Sequence, residues 1–161
     1  MASTTVLTNP AAQDNSECQI KESDAILSIS LSSDSRYLLT NLKNQCVNLW
    51  ELPPPGSADP MPTKPLQTYR GLRRKLGRFV VRSCLGGFRE AFVLSGSEES
   101  KVYVWHRETG EMLAELEGHA GCVNSVSWNP VRHHMFASAS DDRSVHVWSV
   151  SDQVALENGL E

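Results

Sequence analysis

The chain has 161 residues, 40% of them hydrophobic and 21% charged, with a formal net charge of −4. That balance fits one folded unit with enough apolar mass for a core, and it excludes a disordered, highly charged chain. The charge is too small to point to a partner by itself, no run approaches the roughly 18 apolar residues of a membrane helix, and MASTTVLTNP lacks the regions of a secretory signal.

Residues 1–24 are rich in Ser, Thr, Asn and Gln and read as a weakly structured tail, with one short strand at Thr4–Thr8. From residue 25 short apolar runs recur between small or polar residues. ILSISL, YLLTNL and CVNLWEL come first, and Pro53–Pro65, which holds six of the eight prolines, then interrupts the series. Proline cannot donate to a strand ladder, so 53–65 reads as an extended inserted loop. RFVVRSCL, AFVLSGS, KVYVWHR and EMLAELEG follow, and then CVNSVSW, MFASAS and SVHVWSV. Their β-branched and aromatic content, partial alternation and regular turns predict an all-β, antiparallel architecture over 25–152, with a second tail at 153–161.

The runs repeat as a group. TNLKNQCVNLW (Thr40–Trp50), SGSEESKVYVW (Ser95–Trp105) and SASDDRSVHVW (Ser138–Trp148) each open on or beside a small hydroxyl residue, carry a polar turn and end on Trp. The tryptophans lie 55 and then 43 residues apart. The second interval fits the ~40–45-residue period of a propeller blade, and the proline loop lengthens the first.

These segments resemble WD repeats, most clearly Gly118-His119, VNSVSWNP and SASDDRSVHVW. The resemblance implies a β-propeller, here about three blades of an incomplete ring. It also implies a structural tetrad of His119, Ser138, Asp142 and Trp148. A buried imidazole, hydroxyl and indole N–H each need a partner, and a carboxylate can anchor the set. The other two repeats give partial tetrads. In one, Ser95 and Trp105 match while Glu99 takes the Asp position and Leu72 the His position. In the other, Thr40 and Trp50 match while Asn44 stands for Asp, and no His is found.

A longer stretch, roughly residues 24–151, is similar to the carboxyl-terminal blades of the WD-repeat subunit of CTLH/GID-type ubiquitin ligases. RSCLGG, the WHR after the second repeat and the Leu-Leu before Thr40-Asn41 carry this likeness. It implies a non-catalytic scaffold that meets subunits bearing LisH and CTLH helices, and substrates bound for proteasomal degradation. The alternative is a WD-repeat adaptor in signalling or transcription. Three repeats are too few for a closed ring, so the expectation is a truncated product or a ring completed by self-association.

The remaining constellations carry less. Arg70, Arg73, Arg74, Lys75, Arg78 and Arg82 place six positive charges within 13 residues. Without interleaved aromatics they read as a solvated rim loop rather than a nucleic-acid surface; Arg73, Arg74 and Arg78 are candidate contacts for an acidic partner. Lys43, Glu98 and Asp141 occupy equivalent turns and are candidate peptide contacts. His133 and His134 are adjacent, and neighbours on a strand point to opposite faces, so the pair cannot readily chelate one metal and reads as loop residues. Asp141-Asp142 lacks EF-hand spacing, and Ser138 with His119 lacks a nucleophile elbow. No cofactor, metal or catalytic residue is expected. The four cysteines, spaced 28, 38 and 38 residues apart, read as reduced thiols in a cytoplasmic or nuclear protein.

Overall fold

The computed structural model describes residues 19–54, 56–71 and 79–149. Among them three antiparallel sheets follow one another in chain order. The first contains β1 (Ile26–Leu31), β2 (Tyr37–Leu42), β3 (Val47–Glu51) and β4 (Gln67–Tyr69). The second contains β5 (Ser83–Gly86), β6 (Phe92–Ser95), β7 (Lys101–His106) and β8 (Met112–Glu117), and the third β9 (Val123–Trp128), β10 (Met135–Ser140) and β11 (Val145–Ser149). Phe88–Glu90 forms a 3-10 turn. The all-β architecture of three propeller-type blades is therefore as the sequence implies. Two differences stand out. β4 is a strand of only three residues that the apolar pattern does not signal, and pairing in RFVVRSCL begins only at Ser83. The expected strand at Thr4–Thr8 and the tail at 153–161 lie outside the described residues.

The repeat is written into the backbone as well as the side chains. Gln45, Ser100 and Arg143 all have positive φ, at 72°, 65° and 71°. Each stands five residues after the hydroxyl residue that opens its segment. A short hairpin loop commonly ends on one left-handed residue, because that conformation matches the twist of the flanking strands. In the first blade, Gln45 N donates to Leu42 O at 3.3 Å, and in the third Arg143 N donates to Ser140 O at 3.1 Å.

The blades stack face to face. Leu39, Val47, Leu49 and Tyr69 of the first pack on Val93, Tyr103 and Trp105 of the second. On its other face the second blade turns Leu94, Val102 and Val104 toward Val123 and Val126 of the third, with Trp128, Phe136 and Trp148 extending the layer. Each large side chain so buried stabilises the fold by about 1.5–3 kcal/mol. Strand β7 is covered on both sides, and Val102 to Trp105 are all buried. Strand β11 has nearly the same sequence but is covered on one side, leaving Val145 66% and Val147 67% exposed.

Polar links tie the blades near β1, β5 and β9. Asn41 Nδ2 donates to Ser95 Oγ at 3.1 Å, with both residues buried. Arg82 N donates to Asn124 O at 3.0 Å, and Val123 N to Ser97 O at 2.8 Å. The second and third blades approach so closely that a Cβ on Gly96 would lie 2.1 Å from the Val123 carbonyl oxygen.

Candidate interaction surface

The third blade assembles its four tetrad residues into one chain of hydrogen bonds. Trp148 Nε1 donates to Ser138 Oγ at 2.8 Å, and Ser138 Oγ lies 2.8 Å from His119 Nε2. His119 Nδ1 lies 2.8 Å from Asp142 Oδ2. An indole can only donate, so the serine oxygen accepts from it and the serine proton goes to Nε2. The imidazole then donates from Nδ1 to the carboxylate, and every buried polar group is satisfied. Asp142 also accepts from Ala120 N at 2.9 Å, Ser144 N at 2.8 Å and Ser144 Oγ at 2.6 Å. These donors, the Ser144 hydroxyl foremost, hold its carboxyl far below the ordinary 3.8. The network works as a clamp between the residues ahead of β9 and the β10–β11 hairpin.

The first blade solves the same problem with different chemistry. Glu22 stands where a His would be sought. Its carboxylate accepts from Trp50 Nε1 at 2.8 Å, from Asn48 Nδ2 at 2.8 Å and from the Thr40 hydroxyl. Trp50 Nε1 also lies 3.2 Å from Thr40 Oγ1. Asn44 does not play the part of Asp here. It sits outside this set and donates to Ser23 Oγ at 3.3 Å. In the sequence, residue 22 falls within the polar stretch that reads as a tail, and no imidazole is at hand there. The signal that could have found it is three donors, Thr40, Asn48 and Trp50, turned to one face and in need of an acceptor.

In the second blade the partial tetrad residues are not joined to one another. Trp105 Nε1 donates to the Arg70 carbonyl at 3.0 Å, while Ser95 Oγ donates to Gly96 O at 3.0 Å and accepts from Asn41. Glu99 does not serve as the missing Asp, since it accepts from Tyr103 Oη at 3.4 Å. Leu72, Arg73, Arg74, Lys75 and Arg78 lie outside the described residues.

The three turn candidates occupy the same end of the stacked sheets, and two of them are engaged within the chain. Glu98 Oε1 accepts from Phe79 N at 3.3 Å, and Asp141 Oδ1 accepts from Asn124 Nδ2 at 2.5 Å. The Lys43 side chain is exposed, and its backbone N–H donates to Ala25 O at 2.9 Å. At the opposite end, where β1–β2, β5–β6 and β9–β10 turn, a cleft of about 470 Å³ spans all three blades. Tyr37, Leu85, Gly86 and Trp128 form its apolar parts, and Asp34, Arg36, Arg89, Glu90 and Arg107 its charged parts. The stretch RSCLGG contributes Leu85, Gly86 and Gly87 to its lining. Among the described residues, no group of three or more His, Cys, Asp or Glu side chains could hold a metal ion.

Comparison with known proteins agrees with this architecture. Residues 110–149 match the WD domain, G-beta repeat family. A WD repeat-containing protein 26 homolog of Arabidopsis thaliana is 48% identical over 139 residues, covering 86% of this chain and 22% of that protein. GID complex subunit 7 of Schizosaccharomyces pombe is 45% identical over 138 residues, covering 84% of this chain and 25% of that protein. A WD repeat-containing protein 26 homolog of Drosophila melanogaster is 40% identical over 129 residues, covering 80% and 19%. The chain thus spans a fifth to a quarter of the length of these relatives. With a matched repeat, three blade-like sheets and similarity over most of its length to proteins of this kind, the chain is a WD-repeat chain of β-propeller architecture.

Proposed function

We propose that the chain acts as a non-catalytic protein-interaction scaffold, as the WD-repeat part of a GID/CTLH-like ubiquitin-ligase complex that directs proteins to degradation. The observation that carries this reading is 45% identity across 84% of the chain to a protein named as a GID complex subunit. The described architecture suits the role. The tetrad side chains His119, Ser138, Asp142 and Trp148 saturate one another, so the polar groups that most resemble a hydrolytic set are engaged in holding the blade together. Two blade ends remain as surfaces for other proteins. The compartments in this reading are cytoplasm and nucleus, and the partners are subunits bearing LisH and CTLH helices together with the substrates they deliver.

The test is purification of the tagged chain from cells, with mass-spectrometric identification of what co-elutes. RING-bearing and LisH/CTLH-bearing proteins should co-elute in a species larger than the chain alone. Co-elution of none of these, with signalling or transcription factors in their place, would overturn the ligase assignment in favour of an adaptor elsewhere.

A further inference from the structure

We infer that the cleft at the β1–β2, β5–β6 and β9–β10 end binds an acidic protein segment, with the Arg89 guanidinium as its carboxylate-recognising group. The inference does not depend on the ligase assignment, since it requires only that the three blades stack as described.

The turn between β5 and β6 is strained. Arg89 has φ 54° and ψ 27°, and Glu90 has φ 53°. Two successive non-glycine residues in the left-handed region are costly, and such residues persist where the surroundings or the function require those side chains. For Glu90 the reason is structural, because its Oε1 accepts from Ser33 N at 2.9 Å and ties the second blade to the first. For Arg89 no such reason exists among the described residues. It makes no ion pair or hydrogen bond there, and its guanidinium lies 5.3 Å over the ring of Phe88, which is itself 64% exposed. The His133 ring meets Phe88 edge-on at 5.9 Å. A strained turn therefore places Arg89 in the lining of the cleft, stacked on the exposed Phe88 beside it, and both residue types are enriched at protein interfaces.

The charges inside the cleft specify the partner. Its carboxylates are already engaged: Glu90 by Ser33, and Asp34 by the Ser32 hydroxyl at 2.6 Å and Arg36 N at 3.0 Å. Arg36 is paired with Glu51 at 2.7 Å. Arg107 lies 5.0 Å over Tyr37, and its nearest carboxylate, on Glu108, is 3.7 Å away. Arg107 is thus held by Tyr37 and Glu108, with its side chain 17% exposed. Among the charged residues that line the cleft, Arg89 alone has no ion pair or hydrogen bond among the described residues, leaving its guanidinium fork open to an incoming carboxylate. The floor beneath them is apolar, and Gly86 lets the Trp128 ring lie directly on the backbone, since a Cβ there would meet Trp128 Cγ at 2.1 Å. A segment alternating acidic and large apolar residues fits both features.

The test uses the full 161-residue chain and fluorescence polarisation with a short labelled peptide of alternating Glu and Leu. Controls are the same peptide with Gln for Glu and a labelled single-stranded oligonucleotide. The Glu peptide should bind, weaken as salt rises, and bind about tenfold more tightly than the Gln peptide. Arg89→Gly is the informative variant. Glycine tolerates the left-handed turn, so its unfolding midpoint should equal or exceed that of the unsubstituted chain, while affinity falls about tenfold. Phe88→Ala, on an exposed ring, should also weaken binding without loss of fold. Absent binding of the Glu peptide, equal binding by Arg89→Gly, or equal binding of the Gln peptide would overturn the inference. Tighter binding of the oligonucleotide at the same residues would overturn the commitment to a protein segment.

Discussion

Replacing Glu22 tests whether a carboxylate organises the first blade as an imidazole organises the third. Glu22→Ala removes the acceptor for three donors whose residues are all buried: Thr40, Asn48 and Trp50. The indole keeps one partner, because Thr40 Oγ1 already lies 3.2 Å away. Asn48 Nδ2 loses its partner, although its Oδ1 still accepts from Thr68 Oγ1 at 2.9 Å, and the Thr40 hydroxyl proton also loses its carboxylate. Orphaning a buried donor costs about 1–3 kcal/mol. Two such losses, offset by relief of carboxylate desolvation, give an expected destabilisation of about 2–4 kcal/mol. Glu22→Gln keeps one acceptor oxygen and turns an amide toward the remaining donors, so its cost should be about half as large. The assay is urea unfolding followed by tryptophan fluorescence, completed as a double-mutant cycle with Trp50→Phe. A coupling energy of about 1 kcal/mol or more is expected between residues 22 and 50. The reasoning is refuted if Glu22→Ala unfolds within about 0.5 kcal/mol of the unsubstituted chain, the range of an ordinary surface change.

Ser138→Ala removes the hydroxyl that bridges indole and imidazole, and should cost about 1–3 kcal/mol in chemical denaturation; a neutral result would show that the clamp contributes nothing to stability. Gly96→Ala places a methyl group against the Val123 carbonyl, which cannot rotate away, so it should destabilise by about 1–3 kcal/mol or more; an unchanged unfolding midpoint would contradict the close approach of the blades. The depressed carboxyl of Asp142 sets a pH dependence. A carboxylate whose pKa falls on folding adds stability above its ordinary value of 3.8, and that stability is lost as pH falls toward the folded value. Asp142→Asn should therefore flatten the acid limb of a stability–pH curve and leave its shape near neutrality unchanged; an unaltered acid limb would refute the assignment. Burial pushes the Cys84 thiol up to about 11, so iodoacetamide at neutral pH should label it only in denaturant, as read by peptide mass spectrometry, and rapid labelling of the folded chain would contradict this.

The third blade is legible in the sequence because its local signals agree. MFASAS and SVHVW alternate, the turn between them is polar, and His119, Ser138, Asp142 and Trp148 stand in the expected order. The first blade is harder to read. Its acceptor is a glutamate ahead of β1, in a polar stretch with no apolar period, and only the three-dimensional convergence of Thr40, Asn48 and Trp50 exposes its role. Strand β4 escapes for another reason. Three residues after Pro65 are too few to show alternation, and Gln67–Tyr69 pairs because β3 offers a free edge. In the second blade Ser95, Glu99 and Trp105 match the pattern by position, but Leu72 stands where a His would donate, so a complete network is not to be expected there, and each of the three bonds elsewhere. The cleft is invisible because its walls come from three turns far apart in sequence, and what marks Arg89 is a backbone angle.

The unequal covering of β7 and β11 has a consequence for how the chain opens. A stack of sheets in which each contacts its neighbours behaves nearly one-dimensionally, so sub-global excursions begin where the neighbour count is lowest. Peeling the third sheet from the second exposes Leu94, Val102 and Val104 but leaves the layer around Tyr69 and Trp105 closed. Deuterium uptake should therefore rise from the amides of β7 to those of β11.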